Sequence, residues 1–386
     1  MRYAGNLADA LADLADIRMI VSADCDRQLL PRKTQFEAFH TGRNSLYNLM
    51  YSLNPLSYKK ILRRIRTFAP HAVLFPVEHL WHPLIQSNLK TFPIVQTIHD
   101  PLRHQGEENA FFDLIRIMSL LNADKVIVLS SIFKRSFEQM GLSQKDVHVI
   151  PHGAFAFSEG VLRNGQLAPP SLRKSILFVG RITRYKGLDI LLKAFASVHK
   201  IHPEATLTIA GKGDLSPYRQ LIENLENVRI FNHYLSEEEL ADLHEACDFV
   251  VAPYIDASQS GVVPMALANQ RTVITTRVGG LPEQVEDGQT GTLVRPGDVE
   301  DLAGAMIRLL NHPHDVLRMS SLARERYLEA FGWDAIARRT YESCLSAIDS
   351  FRSRRGKRRK ANFLFNFFHA LRLYAKGMNV AKCNET

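Results

Sequence analysis

The chain has 386 residues, 46% hydrophobic and 23% charged, which is the balance of an ordinary soluble globular protein with room for two domains. Its net charge of +8 is unevenly placed: the residues from Phe351 on carry +9 and the first 350 carry −1, so the body lacks the bulk basic surface that nucleic-acid binding needs. No run of 18 apolar residues predicts a membrane span, no apolar segment at the start reads as a secretory signal, and Cys25, Cys247, Cys344 and Cys383 show no paired or metal-like spacing, so they read as reduced thiols of a cytoplasmic protein.

In chain order, residues 5–15 have helical spacing and Arg18 to Ala23 read as a strand, so the chain opens on a helix. Tyr58 to Arg66 form a basic helical stretch, and Ala72 to Val77 a strand. Ile94-Val-Gln-Thr-Ile-His-Asp100 reads as a buried strand ending in a polar pair. His99 at its end is either a ligand contact or a satisfied structural histidine. Ala123 to Ser130 form a further strand, and a helix follows from about Ile132. Gly160 to Ser171, with two Pro and two Gly, reads as a linker.

Ile176-Leu-Phe-Val-Gly-Arg-Ile-Thr-Arg-Tyr-Lys-Gly187 starts as a short buried strand, ended by Gly180. Arg181 and Lys186 follow, and a helical pattern of Leu188, Leu191, Leu192, Phe195 and Val198 starts near Gly187. Two cations at the carboxyl end of a strand, next to a helix start, make a phosphate clamp; the same residues serve equally as solvated loop charges. Strands at 176–179, 205–210, 227–231, 248–252, 273–276 and 291–294 alternate with helices at 187–201, 216–224, 236–246, 261–269, 281–286 and 299–311. That order predicts a parallel sheet with right-handed crossovers. Gly211 ends its strand as Gly180 does, by a tight turn. Asp256-Ala-Ser-Gln-Ser-Gly261 is small and polar, and the amides around Ser260, Gly261 and Val262 suit a phosphate; an N-cap role for the serine fits equally well. Gly279 and Gly280 suit a close-approach turn after the sheet. Glu283 and Glu286, three apart, share a helical face, and a solvated face suits them better than a sugar contact. No Gly-x-Gly-x-x-Gly links a strand to a helix, which argues against a dinucleotide-dependent dehydrogenase, and no His/Cys cluster has zinc spacing.

The Gly180-Arg181…Lys186-Gly187 segment resembles the signature of the retaining glycosyltransferases of family 4. His99-Asp100, Val149-Ile-Pro-His-Gly153 and the run from Val278 to Gly291 are similar to other segments of that family. The resemblance implies an α/β GT-B fold, two Rossmann-like parallel-sheet domains facing a cleft. It divides the chain into an acceptor-side domain (1–155), a linker (156–173), a nucleotide-sugar-binding domain (174–350) and a tail (351–386). It implies that Arg181 and Lys186 bind the diphosphate of a UDP- or GDP-linked sugar, that His99 contacts the sugar, and that Gly180, Gly211, Ser260, Gly261, Val262, Gly279 and Gly280 line the donor site. It also implies a glycan or lipid-linked acceptor, no metal and no cofactor beyond the nucleotide-sugar.

Two features depart from the family pattern. Ahead of the opening helix the first strand and its glycine-rich loop are missing, or the given start lies downstream of the true one, and either puts turnover by these 386 residues in question. The family's two glutamates, with seven residues between them, align with Ala257 and Met265, in a Gln-Ser-Gly variant where Ala257→Glu is expected to be tolerated. A glycosyltransferase of cell-surface polysaccharide or glycolipid synthesis, and a catalytically silent donor-binding scaffold, both fit. In the tail, seven cations between Arg352 and Lys360 precede Phe363, Leu364, Phe367, Phe368, Leu371 and Tyr374 on one helical face. This suits an anionic membrane surface, hence a peripheral protein at the inner face of the membrane; a helix docked on the body is the alternative.

Overall fold

The computed structural model describes residues 2–23, 25, 30–39, 55–99, 110–134, 137, 142, 145–153, 157, 167–257, 259–353 and 370. They form two units. One holds the described residues up to Gly153 together with those from Trp333 on, and the other those between Ala154 and Gly332.

In the first unit, helix α1 (Arg2–Leu11) buries Tyr3, Ala4, Leu7, Ala8 and Leu11, which recur at three and four. It leads to β1 (Arg18–Ser22), which pairs in parallel with β2 (Gln35–Phe39) as a two-stranded sheet. Helix α2 (Pro55–Phe68) precedes a four-stranded parallel sheet, β3 (Val73–Phe75), β4 (Ile94–Ile98), β5 (Lys125–Val128) and β6 (Asp146–Val149), in that order. Strands β4 and β5 are buried along their whole length, as expected of parallel strands covered on both faces. Helices α3 (His82–Ser87) and α4 (Ala110–Asn122) pack on each other.

The chain then passes through the second unit, whose six strands are all parallel. They are β7 (Ser175–Val179), β8 (Thr206–Ala210), β9 (Val228–Phe231), β10 (Phe249–Ala252), β11 (Thr272–Thr276) and β12 (Gly291–Val294), in the spatial order β12-β11-β10-β7-β8-β9. Helix α5 (Leu188–Ile201) covers the sheet through Leu188, Leu191, Leu192, Phe195 and Val198, all buried, each contributing about 1.5–3 kcal/mol. Helices α6 (Arg219–Glu223), α7 (Glu237–Ala246), α8 (Val262–Ala268), α9 (Val299–Asn311) and α10 (Pro313–Phe331) follow. Helix α7 starts with a capping box, Ser236 accepting from the Glu239 amide while the Glu239 carboxylate accepts from the Ser236 amide.

Helix α11 (Trp333–Ser353) packs on α1 and places Ile336, Ala337 and Ala347 in a core with Tyr3, Val95 and Ile127. The sequence-based division put 333–350 with the second domain; packing puts them with the first. The expected helix at 281–286 is a single 3-10 turn, Leu281–Glu283, with Pro282 at its start. The expected linker and most of the tail lie outside the described residues. Ala370 is helical and fully buried with Ile61, Ile65 and Ile85 in the first unit's core, as the docked alternative for the tail requires at that position. Among the described residues no helix is long and apolar enough to cross a membrane.

Candidate active site

Strand β7 is the first of the second unit, and the strand order reverses beside it: β8 and β9 lie on one side, β10 and β11 on the other. In an open parallel sheet, ligands bind beyond the carboxyl ends of the strands at such a point. The segments leaving β7 and β10 are Gly180–Gly187 and Pro253–Gly261, so the topology itself brings the predicted clamp and the predicted donor loop together. A backbone hydrogen bond from the Ile255 amide to the Tyr185 carbonyl, 2.9 Å, ties them.

Glycine at two of these turns is compulsory. At Gly211 (φ +139°) a Cβ would lie 2.0 Å from the carbonyl oxygen of Gly180, so the chains leaving β7 and β8 touch backbone to backbone. At Gly187 (φ +69°) it would lie 2.0 Å from the carbonyl oxygen of Pro253.

Arg181 is exposed and donates to the Tyr185 hydroxyl, 3.4 Å. The Lys186 ammonium is half-buried, 4.9 Å from the centre of the Tyr185 ring and 3.7 Å from that of Tyr254. Both predicted cations therefore rest on one tyrosine, and the lysine is held between two aromatic faces. Tyr254, only 1% exposed, escaped the sequence reading. Burial pushes its phenol up to about 12, so it stays protonated, and its hydroxyl lies 3.1 Å from the Ser260 hydroxyl.

Ser260 is itself buried, and its Oγ accepts from the amides of Val262 (3.0 Å) and Val263 (3.3 Å). Of the two sequence readings, the structure shows the capping one: these amides already have a partner, and α8 is only seven residues long. Gln284 Nε2 donates to the Ser260 carbonyl, 3.1 Å, while the buried Gln284 Oε1 has no hydrogen-bond partner among the described residues. Gly279 takes φ +52° and Gly280 begins the 3-10 turn, beyond the carboxyl end of β11. Glu286 pairs with Arg326, a structural role.

The two positions expected to carry glutamate are apolar in their surroundings as well as their side chains. Ala257 is buried with Tyr254, Val263 and Leu281, and Met265 is half-buried against the cluster of Phe157, Leu167 and Ala241. Ala257→Glu, expected to be tolerated, would bury a carboxylate there, so that expectation is withdrawn.

His99 belongs to the first unit, at the carboxyl end of β4. Its Nε2 lies 2.9 Å from the Pro76 carbonyl, which can only accept, so the proton sits on Nε2. The edge of the Tyr3 ring meets the His99 ring at 4.7 Å between centroids. These contacts give His99 a structural anchor. Among the described residues, no group of three or more His, Cys, Asp or Glu side chains is placed to hold a metal ion.

Residues 173–312 match the family model of glycosyl transferases group 1, and residues 2–154 that of glycosyltransferase family 4; together they cover well over half the chain. Among curated proteins, the chain is 29% identical over 312 residues to a glycogen synthase of Mycobacterium tuberculosis, covering 76% of this chain and 72% of that one. Among solved structures, it is similar to the sucrose-phosphate synthase of Thermosynechococcus elongatus, with a TM-score of 0.68, 21% identity, and coverage of 89% and 93%. It is also similar to Anabaena HepE in complex with UDP-glucose, with a TM-score of 0.67, 19% identity, and coverage of 89% and 96%.

Proposed function

This chain belongs to the family 4 glycosyltransferases, which take a nucleotide-sugar donor, and we propose that it moves the sugar, with retention and without a metal ion, to a hydroxyl of a glycan or lipid-linked acceptor. The observation that carries the reading is the pair Arg181 and Lys186, both resting on Tyr185 beside the strand-order reversal of the second unit. A guanidinium forks onto two phosphate oxygens, and an ammonium adds a point charge. As the bond from sugar to phosphate breaks, negative charge grows on the departing diphosphate. Two cations already held in place stabilise that charge with little reorganisation. His99 is proposed to contact the hydroxyls of the donor sugar. Acceptors at a membrane surface suit the seven cations between Arg352 and Lys360, and pelleting with anionic liposomes tests that part.

Calorimetry with UDP and GDP tests the clamp. Arg181→Ala and Lys186→Ala should each lose roughly 1.5–3 kcal/mol of binding, about ten- to a hundredfold in affinity. Unchanged affinity in both variants would return them to ordinary surface charges. The UDP-glucose of the HepE complex names the first donor to try. Turnover that persists in EDTA supports the metal-independent route, whereas loss on chelation with recovery on adding magnesium would overturn it. Tight UDP binding with no transfer to any acceptor would favour the silent scaffold.

A further inference from the structure

Helix α2 of the first unit carries a charge pattern that its fold does not use. Between Glu37 and Glu78 the chain has no Asp or Glu, although 40 acids are spread over its 386 residues. In that stretch α2 places Lys59, Lys60, Arg63, Arg64 and Arg66, all exposed. Its apolar residues Ile61, Leu62 and Ile65 are buried in the first unit's core, which also holds Ala370. Protein therefore covers the apolar side of α2 and leaves its cations outside.

The five cations fall into two rows. Lys60 and Arg64 are engaged with β2: the Lys60 ammonium lies 5.6 Å from the centre of the Phe39 ring, and Arg64 pairs with Glu37 at 3.1 Å. Lys59, Arg63 and Arg66 form the other row, about 10 Å long at about 1.5 Å per residue. They line an opening of about 460 Å³, together with Thr67 and Leu62. Arg66 donates to the Asn88 carbonyl, 3.0 Å, which fixes one end of the row. Among the described residues Lys59 and Arg63 have no ion pair.

A solvated helix face is the plain alternative, and it calls for a different composition. A solvated helix gains from acids placed four residues from its cations and from acids in its first turn. Helix α2 has neither. Lys59 and Arg63 are like charges four apart, Arg63 and Arg66 are three apart, and the first turn holds no acid. Such pairs destabilise a helix by themselves. An anion from outside turns that repulsion into attraction.

We propose that this row docks the first unit on an anionic membrane surface, with lipid phosphates over Lys59, Arg63 and Arg66 and one of them in the opening. Guanidinium groups fork onto phosphate oxygens, and the ammonium adds a point charge. A membrane presents many phosphates in one plane, which suits a straight helical row. A nucleic-acid strand would also need aromatic side chains for its bases, and no aromatic of α2 is exposed. Because the apolar side of α2 is covered, the contact is electrostatic and stays at the level of the headgroups. The inference rests neither on donor binding nor on the cations of the tail.

Sedimentation of residues 1–386 with phosphatidylcholine vesicles, with and without about a third of phosphatidylglycerol, tests it. Lys59→Gln with Arg63→Gln should weaken binding to the anionic vesicles about ten- to thirtyfold, and Arg63→Gln alone about fivefold. Both leave the Arg66–Asn88 bond in place and should unfold at the parent's temperature. Lys200→Gln with Arg229→Gln removes the same charge from the second unit and should bind as the parent does. A protein with the seven cations between Arg352 and Lys360 changed to Gln should still bind, and should lose as much by the α2 change; no binding there would give the membrane contact to the tail alone. Affinity within about twofold of the parent, an equal loss in the second-unit control, equal binding to neutral vesicles, or binding that persists in about 1 M salt would overturn the proposal. So would release by inorganic phosphate at matched ionic strength, which would make the opening a free-phosphate site, or tighter retention of a single-stranded RNA lost in the same variant.

Discussion

The two units are both built on parallel sheets, and among the described residues those sheets differ in continuity. In the second, every interior strand has a neighbour on both sides, and the first strand, β7, sits in the middle of six. In the first, the described residues form separate sheets of two and four strands, and β1 and β3 both line one cavity. Parallel sheets depend on being covered and paired throughout, since their strands have no solvated face on which to leave unpaired groups. The second unit should therefore unfold at higher urea than the first, and its donor segments should stay ordered when the first unit has opened.

The largest effect should come from striking the second unit where its backbones touch. Gly211→Ala sets a methyl group 2.0 Å from the Gly180 carbonyl in a backbone conformation foreign to side chains. A loss of about 4 kcal/mol or more is expected, with UDP binding lost alongside. Thermal unfolding should show the second unit's transition collapsing onto the first, while amide protection in β4 and β5 is retained. A variant with both transitions in place would mean that the sheet relaxes more freely than its packing implies.

Acid should act on both units, with one fully buried histidine in each shifted furthest. Burial lowers His82 in the first unit to about 3, with His79 adding to it, and lowers His244 in the second to about 4. The unfolded chain takes up these protons near pH 6.5, and the folded units do so only lower down. Stability is therefore fully present above pH 6.5 and falls as the pH drops through the window from 6.5 to about 4 for His244, and to about 3 for His82. Each histidine contributes a slope of at most about 1.4 kcal/mol per pH unit. Urea midpoints measured from pH 7 to 5 should fall in both transitions, and His244→Gln should flatten the second alone. A second transition still falling as steeply in that variant would assign the effect to other groups.

The smallest effect separates the two jobs of Tyr254. Tyr254→Phe removes the hydroxyl bonded to Ser260 and should cost about 1 kcal/mol of second-unit stability, with UDP affinity within threefold of the parent. Tyr254→Leu also removes the ring beneath Lys186, and should weaken UDP binding about five- to tenfold. Equal UDP binding in the two variants would show that the ring does not position the lysine.

The second unit was the more legible of the two in sequence, for a physical reason. Its strands at 176–179 and 273–276 are short apolar runs ended by glycine or charge, and the structure shows them at Ser175–Val179 and Thr272–Thr276. The cations at 181 and 186 stand out because they follow such a strand directly. Tyr254 does not, since its tie to Lys186 spans 68 positions and exists only once β7 and β10 are adjacent. Ser260 carried both of its readings in the same local pattern, and only its burial beside Tyr254 separates them. The turn at Leu281–Glu283 was expected as a longer helix because Glu283 and Glu286 have helical spacing; Glu286 instead reaches Arg326. In the first unit, β2 lacks apolar alternation, with Gln35, Phe36 and Ala38 all exposed, so no periodicity announces it. Helix α10 was missed outright, although it buries Val316, Met319, Ala323 and Tyr327 at helical spacing.

Helix α11 carries a consequence for how the protein is made. The ribosome releases α1 more than 300 residues before α11, yet the two pack on each other around Ile336 and Ala337. Throughout synthesis, α1 and β4 present an apolar surface whose natural cover has not been translated. The second unit is continuous in sequence from Ala154 to Gly332 and has all its strands before α11 emerges. Domains fold as units while the chain grows, so the later-encoded unit can reach its native state first, and the earlier one must wait for α11 to return.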